Sequence, residues 1–225
     1  METKINLIRK NEFQTSRWSG GTTTELLIYP EKAKYSERNF KWRLSSAKVE
    51  VNESDFTHLP DISRIIMIID GKLTLEHKGH HKAVLGTFEQ DSFMGDWETK
   101  SFGKVTDFNL MMNEGCIGKL QVLSFKAEDR IKILLNESSE ESNQITDAFY
   151  IVQGNLKITE QNKVYEVNEG ELLSVTRESS ESKCELNIYN KGDKEAKIIR
   201  ATIFYPMTTR SNTPSHSVKA IHTKS

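Results

Sequence analysis

Ile68-Ile-Asp-Gly-Lys-Leu-Thr-Leu75 and Ile151-Val-Gln-Gly-Asn-Leu-Lys-Ile158 match position for position in residue type. Each reads as an apolar strand, a turn built on glycine (Gly71, Gly154) and a second strand of alternating character. A polar hairpin follows in both copies (Glu76 to Lys82, Glu160 to Lys163). An acidic turn and a hydrophobic run come next: Glu89-Gln-Asp-Ser-Phe93 and Asn168-Glu-Gly-Glu-Leu172. Two tandem copies of one β module are therefore expected.

The rest of the chain supports an all-β reading. Short strand-like runs, from Lys4–Ile8 through Trp42–Val51 and Asp107–Met112 to Lys197–Phe204, are separated by Gly, Asn, Asp and Ser clusters. That spacing suits a sandwich or barrel, and long helical periodicity is scarce. The seam between modules is expected at Lys126–Ser142, where Glu137-Ser-Ser-Glu-Glu-Ser142 reads as a solvated loop. The division is then 1–126, 127–207 and a polar tail at 208–225.

Composition excludes several classes. With 225 residues, 28% of them charged, and a net charge of −1, no global field recruits nucleic acid or anionic lipid. The longest apolar run, Ile65–Ile69, is too short to span a membrane. Two cysteines, far apart and outside any Cys-x-x-Cys pair, predict reduced structural thiols and a cytoplasmic protein. No Gly-x-Ser-x-Gly elbow is present. His77, His80 and His81 fall in a polar hairpin expected to be solvated, so no native metal and no cofactor are expected there.

Trp18-Ser-Gly-Gly-Thr-Thr-Thr-Glu25 concentrates hydroxyls and a carboxylate on one strand entry. It reads either as an edge strand after a tight turn or as a pocket wall. A phosphate loop is excluded, because no Lys-Ser/Thr pair and no helix follow the glycines. Alternation sets Thr22 and Thr24 on one face and Thr23 and Glu25 on the other. Trp42-Arg43-Leu44-Ser45 likewise sets Arg43 and Ser45 together, where a guanidinium would suit a carboxylate ligand if that face lines a cavity. Arg64 opens the most hydrophobic strand. Asn109 sits among large apolar residues where its amide needs partners, and Asp96 follows a glycine in a turn-like Phe93-Met-Gly-Asp96.

These residues, with Phe40-x-Trp-Arg-Leu-Ser45, Phe56-x-x-Leu-Pro60, Gly71 and Asp107-Phe-Asn-Leu-Met111, occur in the order seen in the HutD/Ves family, which the chain resembles over roughly Ile5 to Lys126. Ser19 stands where that family usually has asparagine, and the glycine run is shorter. The resemblance implies a bicupin, two double-stranded β-helix (RmlC-like jelly-roll) modules. It also implies a regulatory or ligand-binding role in histidine utilisation, with formiminoglutamate or urocanate as suggested ligands. The His-x-His metal signature of ordinary cupins is absent from both repeats.

The reading is thus a protein that binds a small anionic metabolite through Thr22, Thr23, Thr24, Glu25, Arg43, Ser45, Arg64, Asp96 and Asn109. Thr22 and Thr24 are expected to orient polar atoms of the ligand, with Phe93, Phe108 and Trp42 as wall or core. One alternative is a metal-independent isomerase or hydrolase with Glu25, Asp96 or Asp107 as general base, recognisable by a carboxylate of raised pKa in an enclosed pocket. Another is an interaction scaffold without an enclosed cavity. A homodimer is compatible with either.

Overall fold

The computed structural model describes residues 3–139, 142–179 and 184–206. The expected tail at 208–225 lies outside them, as do parts of both Ser/Glu-rich loops. Apart from 3-10 turns at Lys10–Glu12 and Tyr35–Glu37, the regular structure is strand. No helix among the described residues is long and apolar enough to cross a membrane.

Three strands open the chain: β1 (Lys4–Ile8), β2 (Gln14–Trp18) and β3 (Gly21–Tyr29). A first set of eight comprises β4 (Trp42–Val49), β5 (Glu53–Asp55), β6 (Ser63–Gly71), β7 (Leu73–His77), β8 (Lys82–Leu85), β9 (Gln90–Met94), β10 (Thr99–Phe102) and β11 (Val105–Met112). A second comprises β12 (Ile117–Phe125), β13 (Arg130–Leu135), β14 (Gln144–Gln153), β15 (Leu156–Glu160), β16 (Lys163–Val167), β17 (Leu172–Glu178), β18 (Cys184–Asn190) and β19 (Ala196–Tyr205).

The pairing repeats with a period of eight strands. In the first set, β4-β11-β6-β9 forms one sheet and β5-β10-β7-β8 the other; in the second, β12-β19-β14-β17 and β13-β18-β15-β16 do the same. The pairing irregularity recurs too: register slips between Thr106 and Asp107 against β6, and between Ile151 and Gln153 against β19. Gly71 and Gly154 have φ near +93° and +92°. A Cβ at either would lie 2.7 Å from a neighbour, the Lys104 carbonyl oxygen or the Ala196 Cβ, so glycine is required in both copies.

The expected division at residue 126 does not follow these sheets. β12, which precedes it, pairs along its whole length with β19. β1, at the start of the chain, pairs with β17. Pairing changes hands at 113–116, between β11 and β12. The polar loop after Leu135, where the seam was expected, is an internal β13–β14 connection of the second set.

Alternation then assigns the two faces of each large sheet. Trp42, Leu44, Phe108, Leu110 and Met112 pack outward from the first barrel against Ala148, Ile199, Ala201, Ile203 and Tyr205 of the second, in one continuous core layer. At roughly 1.5–3 kcal/mol for each fully buried large apolar side chain, that shared layer ties the halves together. The intervening residues of β4, β6 and β11, including Arg43, Arg64, Asp107 and Asn109, point into the first barrel.

Candidate functional site

A cavity of about 300 Å³ opens between the two sheets of the first barrel. Its polar wall is a row of cross-strand neighbours. Glu25 on β3 lies opposite Ser45 on β4, which lies opposite Asn109 on β11; Arg43 lies opposite Met111, and Met111 opposite Arg64 on β6.

The two arginines are in different states. Arg43 donates from Nε to Glu25 Oε2 (2.7 Å) and from Nη1 to Ser45 Oγ (3.2 Å), with its guanidinium 4.4 Å above the Tyr35 ring. Its charge is compensated. Arg64 is buried between aromatic rings, 4.6 Å from Phe56 and 5.1 Å from Phe93. Among the described residues it makes no ion pair or side-chain hydrogen bond, and its Nε has no partner. Burial lowers its pKa to about 10, although Tyr35 and Asp107 favour the cation. Burial also raises the Asp107 carboxyl to about 7, against the pull of Arg64 and a hydrogen bond from the Ala47 backbone. Asn109, on the same wall, has a buried Oδ1 without a partner. A buried guanidinium left unpaired is costly, and an anion placed beside it recovers that cost.

Of the residues expected from sequence, the cavity gathers Thr23, Arg43, Ser45, Arg64 and Asn109, and Glu25 reaches it through Arg43. Thr22 and Thr24 do not line it. They alternate onto the opposite face, where Thr24 Oγ1 lies 2.8 Å from Thr15 Oγ1 of β2. Of the three threonines expected at the site, only Thr23 lines this cavity. Asp96 is also corrected: it is exposed in the turn after β9, away from the cavity. Phe93 packs on Arg64, while Phe108 and Trp42 belong to the shared core.

Sequence reasoning missed Tyr35, Phe56 and Trp18 on the wall. Trp18 had a legible signal in the glycines beside it. A Cβ on Gly20 would sit 2.0 Å from the Trp18 ring, and one on Gly21 would sit 1.9 Å from the Lys48 carbonyl oxygen. Those glycines serve close packing. Tyr35 lies in a 3-10 turn after β3 and carried no sequence signal.

Two further expectations concern cysteine and histidine. Cys116 and Cys184 are buried, with their thiols pushed up to about 11 by desolvation, as structural cysteines should be. His77 is corrected, being buried instead of solvated at a hairpin tip.

The HutD family profile matches residues 10–194, most of the chain. The chain belongs to the HutD family. Among solved structures, it is similar to the conserved protein PA5104 of unknown function from Pseudomonas aeruginosa PAO1, with 20% identity and a TM-score of 0.73 over 89% of this chain and 99% of that one. It is also similar to HutD from Pseudomonas fluorescens SBW25 in a formate condition, with 17% identity and a TM-score of 0.62 over 88% and 98%. A third likeness is to the bacterial pirin YhhW from Escherichia coli in complex with nickel(II), at 11% identity and a TM-score of 0.63 over 91% and 100%. No curated protein matches the sequence. At these identities the structural likenesses establish fold: this HutD-family chain is an all-β bicupin.

Proposed function

We propose that this HutD-family protein binds a small carboxylate-bearing metabolite in its first barrel, with Arg64 as the partner of the carboxylate. The observation that carries the reading is the state of Arg64, a buried guanidinium on a cavity wall that holds no ion pair among the described residues and whose Nε has no hydrogen-bond partner. Arg43 is excluded as the main contact because Glu25 already occupies it. Thr23, Ser45 and Asn109 supply hydrogen-bonding groups, and Phe56 with Tyr35 supplies apolar wall. A volume near 300 Å³ suits an amino-acid derivative. Family membership makes formiminoglutamate and urocanate the first ligands to try, in a regulatory role where occupancy reports metabolite level. A recessed cavity with a buried guanidinium on its wall weighs against a pure scaffold.

Calorimetric titration of the whole chain with each acid and with its uncharged amide tests the reading. Hydrogen bonds to a charged partner are worth about 1.5–3 kcal/mol, so Arg64→Met should weaken the acid roughly 10- to 100-fold. Amides that bind as tightly as the acids, or an unaffected Arg64→Met, would sink it.

A second reading, metal-independent proton transfer on the same ligand, is favoured by one observation. Asp107 is an enclosed carboxyl pushed up to about 7, the range in which an acid can both take and return a proton near neutrality. The titration repeated in D2O separates the two. Deuterium in recovered ligand with wild type, and none with Asp107→Asn, supports catalysis; none with either leaves binding alone.

A further inference from the structure

Phe93, 5.1 Å from the Arg64 guanidinium, also lies 4.6 Å from the ring of His77, around which the first barrel carries a second cluster of chemistry. His77 ends β7, His81 precedes β8 and Asp91 lies on β9, so the three come from both sheets. We propose that His77, His81 and Asp91 form a binding site for a divalent transition-metal ion, independent of the carboxylate pocket, with none of whose lining residues it overlaps.

The donor atoms are already gathered. His77 Nε2 lies 2.9 Å from Asp91 Oδ2, and His81 Nε2 lies 3.0 and 3.1 Å from the two Asp91 oxygens. One ligand atom from each residue falls within 4.8 Å of the others. Around an ion with bonds of about 2.0–2.1 Å, tetrahedral ligand atoms lie roughly 3.3 Å apart, so only small adjustments are needed.

The surroundings aim the right nitrogen inward. The other ring nitrogen of His77, Nδ1, is 2.8 Å from Thr99 Oγ1, and that hydroxyl has the Trp97 carbonyl oxygen at 3.4 Å for its own proton. Nε2–H can donate to Asp91 while the Thr99 hydroxyl donates to Nδ1; a metal on Nε2 would displace that proton and select the other tautomer, with Nδ1–H donating to Thr99. Thr99 is thus placed to accept from Nδ1–H once a metal holds Nε2, and an outer hydrogen bond of this kind is what orients metal-bound histidines. His77 is buried and fixed, whereas His81 is partly exposed, which leaves room for water or a further ligand on the ion.

Neighbouring charges do not oppose the ion. Lys78 pairs with Glu98 and Lys82 with Glu76, both at 2.7 Å. His80 is stacked on Trp97 at 3.7 Å and stands apart from the three donors. Two imidazoles and one carboxylate suit Zn2+, Co2+, Ni2+ or Cu2+, and not Mg2+ or Ca2+.

The test uses the full chain without an affinity tag, stripped of metal and titrated with ZnCl2, with MgCl2 as the control. One Zn2+ per chain is expected, with no Mg2+ binding. His81→Ala and Asp91→Asn should each weaken Zn2+ at least about tenfold, while His80→Ala leaves it unchanged. Because His81 is partly exposed, its variant should fold, which circular dichroism checks. Visible d–d bands of bound Co2+ should lose intensity in the same variants. Absence of saturable Zn2+ binding, or binding that survives His81→Ala and Asp91→Asn while falling in His80→Ala, overturns the proposal.

Discussion

The interiors of the two barrels occupy equivalent places in the strand order, yet they satisfy their charges differently. Arg64 stands seven residues before Gly71 and opposite Met111; Asp147 stands seven before Gly154 and opposite Thr202. Asn109 likewise corresponds to Arg200. In the second barrel, Asp147 Oδ1 accepts from Arg200 Nε (2.9 Å), Arg200 Nη2 (2.7 Å) and Thr202 Oγ1 (2.8 Å), and Arg177 Nη2 lies 3.6 Å from Oδ2. Arg177 also donates to the Glu137 carbonyl. The second interior pairs its charges internally, although Asp147 Oδ2 and the Nε and Nη2 of Arg177 also lack a hydrogen-bond partner among the described residues. In the first, Arg64 and Asn109 keep unfilled hydrogen-bonding capacity beside a cavity. The repeat preserves register and glycine position while leaving interior polarity free to diverge, so one copy can serve as scaffold and the other as site.

The largest expected effect comes from removing a charge on each side. Asp147→Ala leaves buried Arg177 without its carboxylate and Arg200 with Glu137 alone, at 3.5 Å, and breaking a buried pair this way costs about 3–5 kcal/mol. Arg64→Met removes a cation that holds no ion pair among the described residues and feels Asp107 only at longer range, so its cost should stay below about 1 kcal/mol near pH 6, where Asp107 is mostly protonated, or the variant should gain stability. Denaturant unfolding of both variants measures this. Equal losses would erase the distinction between a closed and an open interior.

Acidity sharpens the same comparison. With its carboxyl raised from the usual 3.8 to about 7, folded Asp107 holds a proton that the unfolded chain has lost. Stability should therefore fall as pH rises between about 4 and 7 on this account, then level off. Asp107→Asn should be more stable than wild type at pH 8, in contrast to Asp147→Asn, which breaks the closed network. Ligand binding follows the same sign. Ionised Asp107 offsets the Arg64 charge, so affinity for a carboxylate should drop by up to about tenfold per pH unit above 7 and lose that slope in Asp107→Asn. Affinity that rises with pH would contradict the arrangement.

Much of this fold was legible because each repeat combines an alternating strand with a glycine that nothing else can replace. β5 and β10 were not, since Glu-Ser-Asp and Thr-Lys-Ser-Phe carry too little apolar alternation to announce a strand. β2, exposed throughout, owes its strand state to pairing with β3. The seam was misjudged because a polar loop looks the same within a module as between modules. At the site, alternation correctly joined Arg43 to Ser45, since Trp42 and Leu44 mark the core face. The meeting of His77 with Asp91 depends on two sheets closing and had no local signal.

The smallest effect addresses the one strand whose faces the sequence could not rank. Thr22, Thr23 and Thr24 offer hydroxyls to both sides of β3, and neither side is apolar enough to declare itself. Thr23 lines the cavity, whereas Thr24 bonds to Thr15 outside it. Thr23→Val should weaken the carboxylate ligand by the worth of one neutral hydrogen bond, about 0.5–1.5 kcal/mol or roughly two- to tenfold. Thr24→Val should leave affinity unchanged. Calorimetry on the pair decides which face of the threonine run belongs to the open interior, and a larger loss from Thr24→Val would turn that assignment around.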